Sequence, residues 1–178
     1  MATATLSISP AQAAGMRDFI VAGLEREMQT TTNVLAAVLD SNKDYKPDPH
    51  ARSAHELAWH IAHGDVSFLE GIAAMDFSYM QSEADEESKT RPKTSTEVVD
   101  FYKKRMAESL QKVRAMTPEQ LATPVNFAGV FNLPVFMYLE FAKSHSIHHR
   151  GALAVYLRPM GSKCPSIYGG SYDEPFKM

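Results

Sequence analysis

Three histidines stand at positions 145, 148 and 149, within the stretch SHSIHHRG. If this stretch is helical, 3.6 residues per turn place His145 and His149 on one face, one turn apart. The same geometry rotates His148 by about 100° onto the flank. Two imidazoles at this spacing can converge on one divalent metal ion without distorting the helix. His145 and His149 are therefore candidate metal ligands, and His148 is predicted to lie beside the site.

A third ligand must come from another helix, because two side chains rarely hold a metal ion alone. The segment HELAWHIAHGD offers His60, which lies on the apolar line of a predicted helix together with Gly64. His63 lies nearer the edge of this predicted helix that carries Trp59, so it is a weaker candidate for the third metal ligand. Spacing alone leaves an alternative open, in which the histidines are core residues hydrogen-bonded to carbonyl or carboxylate groups.

Two familiar metal-binding patterns do not match this sequence. In HELAWH the histidines are five positions apart, so the segment is not the HExxH motif of zinc proteases. A ferritin-like di-iron site needs glutamate three residues before its histidines, and those positions hold Leu57, Ala142 and Ser146. A mononuclear three-histidine site is the better match.

Four long segments with helical periodicity are expected to position the histidines. They run from about Pro10 to Leu39, from Ser53 to Ala74, from the capping box at Thr94 to about Met116, and from an N-cap at Asn132 to a stop at Gly161. Pro134 is expected in the first turn of the last helix, and Phe19 on the inward stripe of the first. This pattern predicts an all-α four-helix bundle.

The remaining segments are shorter and less regular. The acidic segment from Glu83 to Glu87 is expected to be a solvated loop, and whether it closes over the site stays open. The stretch VNFAGVFNLP, residues 125–134, is expected to form a loop or a small hairpin beside the bundle. The tail SKCPSIYGGSYDEPFKM is expected to pack as irregular structure.

Length and composition limit the classes of protein to which the chain can belong. Its 178 residues fit a single domain, residues 1–178, and the formal net charge of −3 gives no reason to expect nucleic-acid binding. The single cysteine, Cys164, excludes a disulfide within the chain and a thiolate-rich metal site. The sequence has no signal-peptide pattern and no apolar run of membrane-spanning length, so a cytoplasmic location is expected.

The segments ELAWHIAHGD and SHSIHHRGALAVYLRPMG, taken together, resemble the DinB/YfiT-like superfamily of metal-dependent enzymes. That superfamily has a motif similar to Leu-x-x-His-Ile on its second helix and to H-x-x-H-H-R-G on its last long helix. The resemblance covers nearly the whole chain, including the order of helices and the Arg-Pro-x-Gly ending at residues 158–161.

The resemblance implies a fold, a ligand set and a class of reaction. It implies that His60, His145 and His149 bind one divalent ion, such as zinc or nickel, in an up-down-down-up bundle. It also implies a homodimer and a small-molecule substrate. Some similar proteins depend on thiols, among them bacillithiol transferases and a mycothiol-dependent maleylpyruvate isomerase.

Three imidazole ligands leave coordination positions open for water or a substrate. Coordination lowers the pKa of water to about 7, or deprotonates a thiol outright. We expect transfer of a low-molecular-weight thiol, as co-substrate, to an electrophile, because the resemblance includes this reaction. Two alternatives stay open: hydrolysis by a metal-bound water, and a non-catalytic metal-binding bundle. No catalytic residue besides the metal ligands is assigned.

Several residues near the histidines have both a functional and a structural interpretation. Arg150 would neutralise a carboxylate of the thiol or substrate, or would form an interhelical salt bridge. Trp59 and Tyr156 would line a pocket, or would be core aromatics. Asp65 is expected in a solvated position, with the alternative that it accepts a hydrogen bond from a ligand histidine.

Overall fold

Helices dominate the computed structural model, which describes residues 8–176 apart from the side chains of Gln81 and Glu83. In chain order the elements are α1 (Pro10–Ala36), α2 (Ala54–Ala74), α3 (Glu83–Thr90), α4 (Ser95–Arg114), α5 (Pro118–Ala122), β1 (Pro124–Phe127), β2 (Phe131–Pro134) and α6 (Tyr138–Leu157). The prediction of an all-α fold is confirmed. The ends of the predicted domain and the start of the chain, where a signal peptide was not expected, lie outside the described residues.

Capping boxes fix the first turns of four helices, α1, α2, α4 and α5. In each, a serine or threonine hydroxyl accepts a hydrogen bond from the backbone N–H three residues later. The glutamine or glutamate at that later position accepts a bond from the N-cap N–H in return. Two otherwise unpaired N–H groups per helix are thus satisfied locally, which explains why these helices start where the sequence predicts.

The long helices form a four-helix bundle in which α1 packs against α4 and α6, and α2 packs against the same two helices. His149 reaches His60 while His145 lies against Gly64, so α2 and α6 are antiparallel. The C-terminal ends of α1 and α6 meet where Ser162 donates a hydrogen bond to the carbonyl of Ala37, so these two helices are parallel. Contacts between α2 and α4 advance in the same direction along both helices, so this pair is parallel too. The bundle therefore has the predicted up-down-down-up arrangement. No helix in the described part of the chain is both long and apolar enough to cross a membrane.

The residues before the last helix differ from the prediction. Asn132 is not an N-cap: it pairs with Asn126 in the antiparallel hairpin of β1 and β2, so the segment forms the small hairpin. Pro134 ends β2, a single 3-10 turn follows at Val135–Met137, and α6 begins only at Tyr138. Asn132, the polar residue that was predicted to cap the helix, is therefore part of strand β2.

Two further predictions are wrong. Phe19 is 76% exposed rather than inward, because Ile20 and Leu24 define the buried stripe of α1 and Phe19 lies on the other side of the helix. The acidic segment that begins at Glu83 is not a loop but the start of α3. This helix contacts α2 beside the histidines.

Candidate metal centre

The imidazole rings of His60, His145 and His149 converge between α2 and α6. Nε2 of His60 lies 3.3 Å from Nε2 of His149 and 3.4 Å from Nε2 of His145. One ligand atom from each residue lies within 4.8 Å of the other two. All three side chains are partly buried. The structure therefore brings together the three residues that the sequence selects as metal ligands.

Gly64 and Phe68 determine where the ring of His145 lies. A Cβ atom at Gly64 would be 2.7 Å from Cε1 of His145, closer than side-chain atoms pack, so this ring needs a glycine on α2. Phe68, one turn later, also packs against this ring, at a centroid distance of 5.4 Å. Packing from α2 thus holds His145 in the orientation that directs Nε2 towards His60.

Two carboxylates bind the outer nitrogens of the ligand rings. Glu87 Oε2 on α3 lies 2.9 Å from Nδ1 of His60, and Asp65 Oδ1 on α2 lies 2.9 Å from Nδ1 of His145. An ionised carboxylate can only accept, so each Nδ1 donates its hydrogen and each Nε2 of a neutral ring presents its lone pair to the cluster. Carboxylates fix the tautomer of metal-binding histidines in this way.

The electrostatics of the site favour an uncharged His149 and a charged Glu87. Burial, followed by the charges of His145 and His60, lowers the pKa of His149 to about 3. Burial raises the pKa of Glu87, but the hydrogen bond and charge of His60 outweigh it and hold this pKa below its usual value. At neutral pH, His149 is therefore an uncharged ligand and Glu87 a charged acceptor.

The arrangement fits a divalent cation better than it fits hydrogen bonds among the rings alone. If His149 donates a hydrogen to His60, the lone pair of His145 still faces His60 without a proton between them. Two nitrogens that bind one tetrahedral zinc ion at 2.0–2.1 Å lie about 3.3 Å apart, close to the distances from Nε2 of His60 to Nε2 of His145 and of His149. The negative charges of Asp65 and Glu87 also balance a charge of +2.

The other predicted residues on these two helices lie around the cluster rather than in it. His148 is exposed, and its ring contacts His149 at a centroid distance of 4.7 Å. His63 packs against Trp59 at 5.3 Å, and burial lowers its pKa. Trp59 is buried and donates its indole N–H to the backbone carbonyl of Glu87, 2.7 Å away. Trp59 therefore anchors α3 to α2.

Arg150 and Tyr156 contact other parts of the bundle. The guanidinium of Arg150 is 1% exposed, and its Nη1 pairs with Oε2 of Glu27 on α1 at 2.6 Å. Arg150 thus forms the interhelical salt bridge that was one of its two predicted roles. Tyr156, nearly two turns after His149, packs edge-on against Tyr45.

Comparison with known proteins identifies the family to which the chain belongs. The profile of the DinB family matches residues 16–176. The chain belongs to the DinB family. It is 30% identical to the uncharacterized protein YjoA of Bacillus subtilis (strain 168) over 136 residues, which are 75% of this chain and 84% of YjoA. It is 23% identical to YrdA of the same organism over 158 residues, 88% of this chain and 90% of YrdA.

Solved DinB-like structures share the fold. One, from Bacillus cereus ATCC 10987, superposes with a TM-score of 0.70 at 22% identity and covers 84% of this chain and 95% of its own. The structure of YjoA from Bacillus subtilis gives a TM-score of 0.66 at 25% identity and covers 83% of this chain and 96% of its own. The up-down-down-up bundle is therefore the fold of this DinB-family protein.

Sequence reasoning misjudged one carboxylate of this DinB-family centre and missed another. The expected solvated position of Asp65 is wrong, and its alternative role is present: the residue is 2% exposed and accepts a hydrogen bond from His145. Glu87 was assigned to a loop, and no local pattern identifies its contact with His60 across 27 positions. Gly64 did carry a signal, since a glycine within a helix, one turn after a candidate ligand, indicates close approach of another group.

Proposed function

We propose that this DinB-family protein binds one divalent metal ion through His60, His145 and His149 and is a metal-dependent enzyme. The observation that carries the proposal is the convergence of three Nε2 atoms, two of them on rings whose Nδ1 atoms are bonded to carboxylates. Three protein ligands are typical of catalytic sites, which keep a position open, whereas structural zinc sites usually have four.

For the reaction, we propose transfer of a low-molecular-weight thiol to an electrophile. When bound, a divalent ion would act as a Lewis acid that lowers the pKa of a coordinated thiol, so that the thiol proton is lost to water. Such a reaction needs no separate protein base. Among the described side chains, the two carboxylates that contact the cluster, Asp65 and Glu87, are both bonded to ligand histidines. They are thus not free to act as the general base that zinc-dependent hydrolysis commonly uses.

A cavity of about 310 Å³ beside Glu87 gives room for a small-molecule substrate. Arg52 and Arg91 also line it, and Arg91 is already paired with Glu56. The charge of Arg52 acts on both Glu87 and His149, so this side chain is within electrostatic range of the histidine cluster. We place the substrate in this cavity, where Glu87 separates it from the ring of His60.

Metal content tests the first part of the proposal. Protein purified without a histidine tag, stripped with a chelator and then exposed to zinc or nickel should retain one ion per chain. His149→Ala should lose this ion or bind it at least 100-fold more weakly, because two ligands remain. His148→Ala is the matched control, since it removes the adjacent but exposed imidazole, and it should bind as the wild type does. Equal metal content in all three proteins contradicts the proposed site.

Turnover tests the second part. Metal-loaded protein should conjugate a general electrophile such as 1-chloro-2,4-dinitrobenzene only when bacillithiol, mycothiol or glutathione is supplied. The stripped protein and His149→Ala should be inactive. Cleavage of an ester or amide substrate without any thiol would instead favour hydrolysis. A metal-loaded protein that is inactive in both assays would favour a non-catalytic role.

A further inference from the structure

A chain of buried polar side chains leads from the histidine cluster into the centre of the bundle. It comprises Asp65, Tyr102, Thr31, Ser146 and Arg150, none of which is more than 2% exposed. They come from all four long helices. Burying this many polar groups in a bundle core is costly unless each is hydrogen-bonded, so the arrangement calls for an explanation besides packing.

Tyr102 is the central member of this chain. Its hydroxyl donates to Oδ2 of Asp65 at 3.2 Å, while Oδ1 of the same carboxylate accepts from Nδ1 of His145 at 2.9 Å. The hydroxyl groups of Thr31 and Ser146 lie beside the tyrosine oxygen and are 3.2 Å from each other. Tyr102 is therefore next to polar groups of α1 and α6 while it holds a carboxylate on α2.

Asp65 depends on these two hydrogen bonds. In the described part of the chain no lysine or arginine pairs with this buried carboxylate; its partners are Tyr102 and His145. If the hydroxyl of Tyr102 were removed, Oδ2 would lie in the core without a donor. A carboxylate in that position turns away towards another donor, since an unpaired buried charge is costly. This movement removes the acceptor that fixes the tautomer of His145.

We infer that Tyr102 is a positioning residue for the metal centre: through Asp65 it holds His145 with Nε2 directed at the ion. The inference rests on the proposed function, because it assigns a role within the same site. Tyr102 touches neither ligand nor substrate. Its effect is transmitted through one carboxylate, in the way that outer hydrogen bonds orient metal-binding histidines.

The alternative is that Tyr102 only stabilises the bundle, and Tyr138 offers a matched comparison. Tyr138 is also fully buried, and its hydroxyl donates to the carbonyl of Val125 and accepts from the N–H of Leu133. These partners belong to the hairpin and have no bond to the cluster. Tyr102→Phe and Tyr138→Phe thus each remove one bonded hydroxyl from the core, but only the first removes a bond to Asp65.

Metal affinity distinguishes the two roles. Zinc affinity is measured by competition with a chromophoric chelator, and ligand geometry by the visible spectrum of the cobalt-substituted protein. Tyr102→Phe should bind zinc about 10-fold or more weakly and should change the cobalt spectrum, because loss of an outer-sphere partner typically weakens metal binding by 10–100-fold. Tyr138→Phe should bind within about twofold of the wild type and leave the spectrum unchanged.

A second variant, and metal binding by the wild-type protein, separate the failure of this role from the failure of the proposed function. If Tyr102→Phe does not fold, as judged by circular dichroism, Ser146→Ala removes a hydroxyl that lies beside that of Tyr102 and should weaken zinc binding several-fold. Wild-type protein that binds no metal contradicts the proposed function and this role with it. Wild-type protein that binds zinc, with folded Tyr102→Phe or Ser146→Ala binding equally tightly and an unchanged cobalt spectrum, contradicts the role of Tyr102 alone.

Discussion

Glu87 on α3 accepts a hydrogen bond from Nδ1 of His60 on α2, across a distance of 2.9 Å. The backbone carbonyl of the same residue accepts a second bond from the indole of Trp59. A single residue of the acidic helix thus holds α3 against the bundle and fixes the tautomer of a candidate ligand. The acidic helix α3 is therefore hydrogen-bonded to the histidine cluster.

Neutralising Glu87 should weaken metal binding without unfolding the protein. In Glu87→Gln the acceptor of His60 Nδ1 loses its charge, so the ring becomes a poorer ligand and its tautomer is less strictly fixed. We expect about a 10-fold loss of zinc affinity in chelator competition. Glu86→Gln removes the neighbouring carboxylate, which pairs only with exposed Lys89, and should bind zinc as the wild type does. Equal affinities of both variants would show that Glu87 does not support the ligand.

Adding a methyl group at Gly64 should displace His145. The new Cβ would lie 2.7 Å from Cε1 of this ring, so the imidazole must move away from α2 and its Nε2 leaves the cluster. Gly64→Ala should therefore lower zinc affinity at least 10-fold. Gly151→Ala on α6 is the control, because nothing lies within 4 Å of the added methyl. That variant should keep its affinity and gain up to about 1 kcal/mol in stability from the higher helix propensity of alanine. Unchanged affinity in Gly64→Ala would refute this account of His145.

The three histidines could be predicted from the sequence, but the groups that support them could not. Helical periodicity alone places His145 and His149 on one face, and it places His60 on the inward side of α2. Whether Asp65 is buried depends on donors from α4 and α6, namely Tyr102 and His145. No pattern within α2 reveals these donors, because hydrogen bonds between helices depend on which helices are adjacent and in which register.

The start of the last helix was predicted wrongly for a similar reason, because it depends on contacts with another segment. Asn132 followed by Pro134 has the local chemistry of a helix N-terminus. Cross-strand pairing with Asn126 prevails instead, and that pairing depends on the turn at Ala128 and Gly129, both of which have positive φ. Local propensity is thus overridden where a second segment offers backbone hydrogen bonds.

The salt bridge between Arg150 and Glu27 should contribute to stability. Arg150 is fully buried, so Glu27→Gln leaves its charge without a counter-ion; we expect the free energy of unfolding to fall by about 3 kcal/mol. Glu25→Gln, on the same helix, breaks an exposed pair with Arg114 and should cost less than about 1 kcal/mol. Both values are obtained from urea denaturation. A loss for Glu27→Gln no larger than that for Glu25→Gln would contradict a structural role for this bridge.

The position of a bound ion decides whether the three histidines form a metal site. Crystals of untagged protein loaded with zinc or nickel are measured with X-rays on both sides of the absorption edge of that metal. We expect one anomalous peak per chain, about 2.0–2.1 Å from the Nε2 atoms of His60, His145 and His149. A peak bound by other residues, or no peak between these three rings, would contradict it.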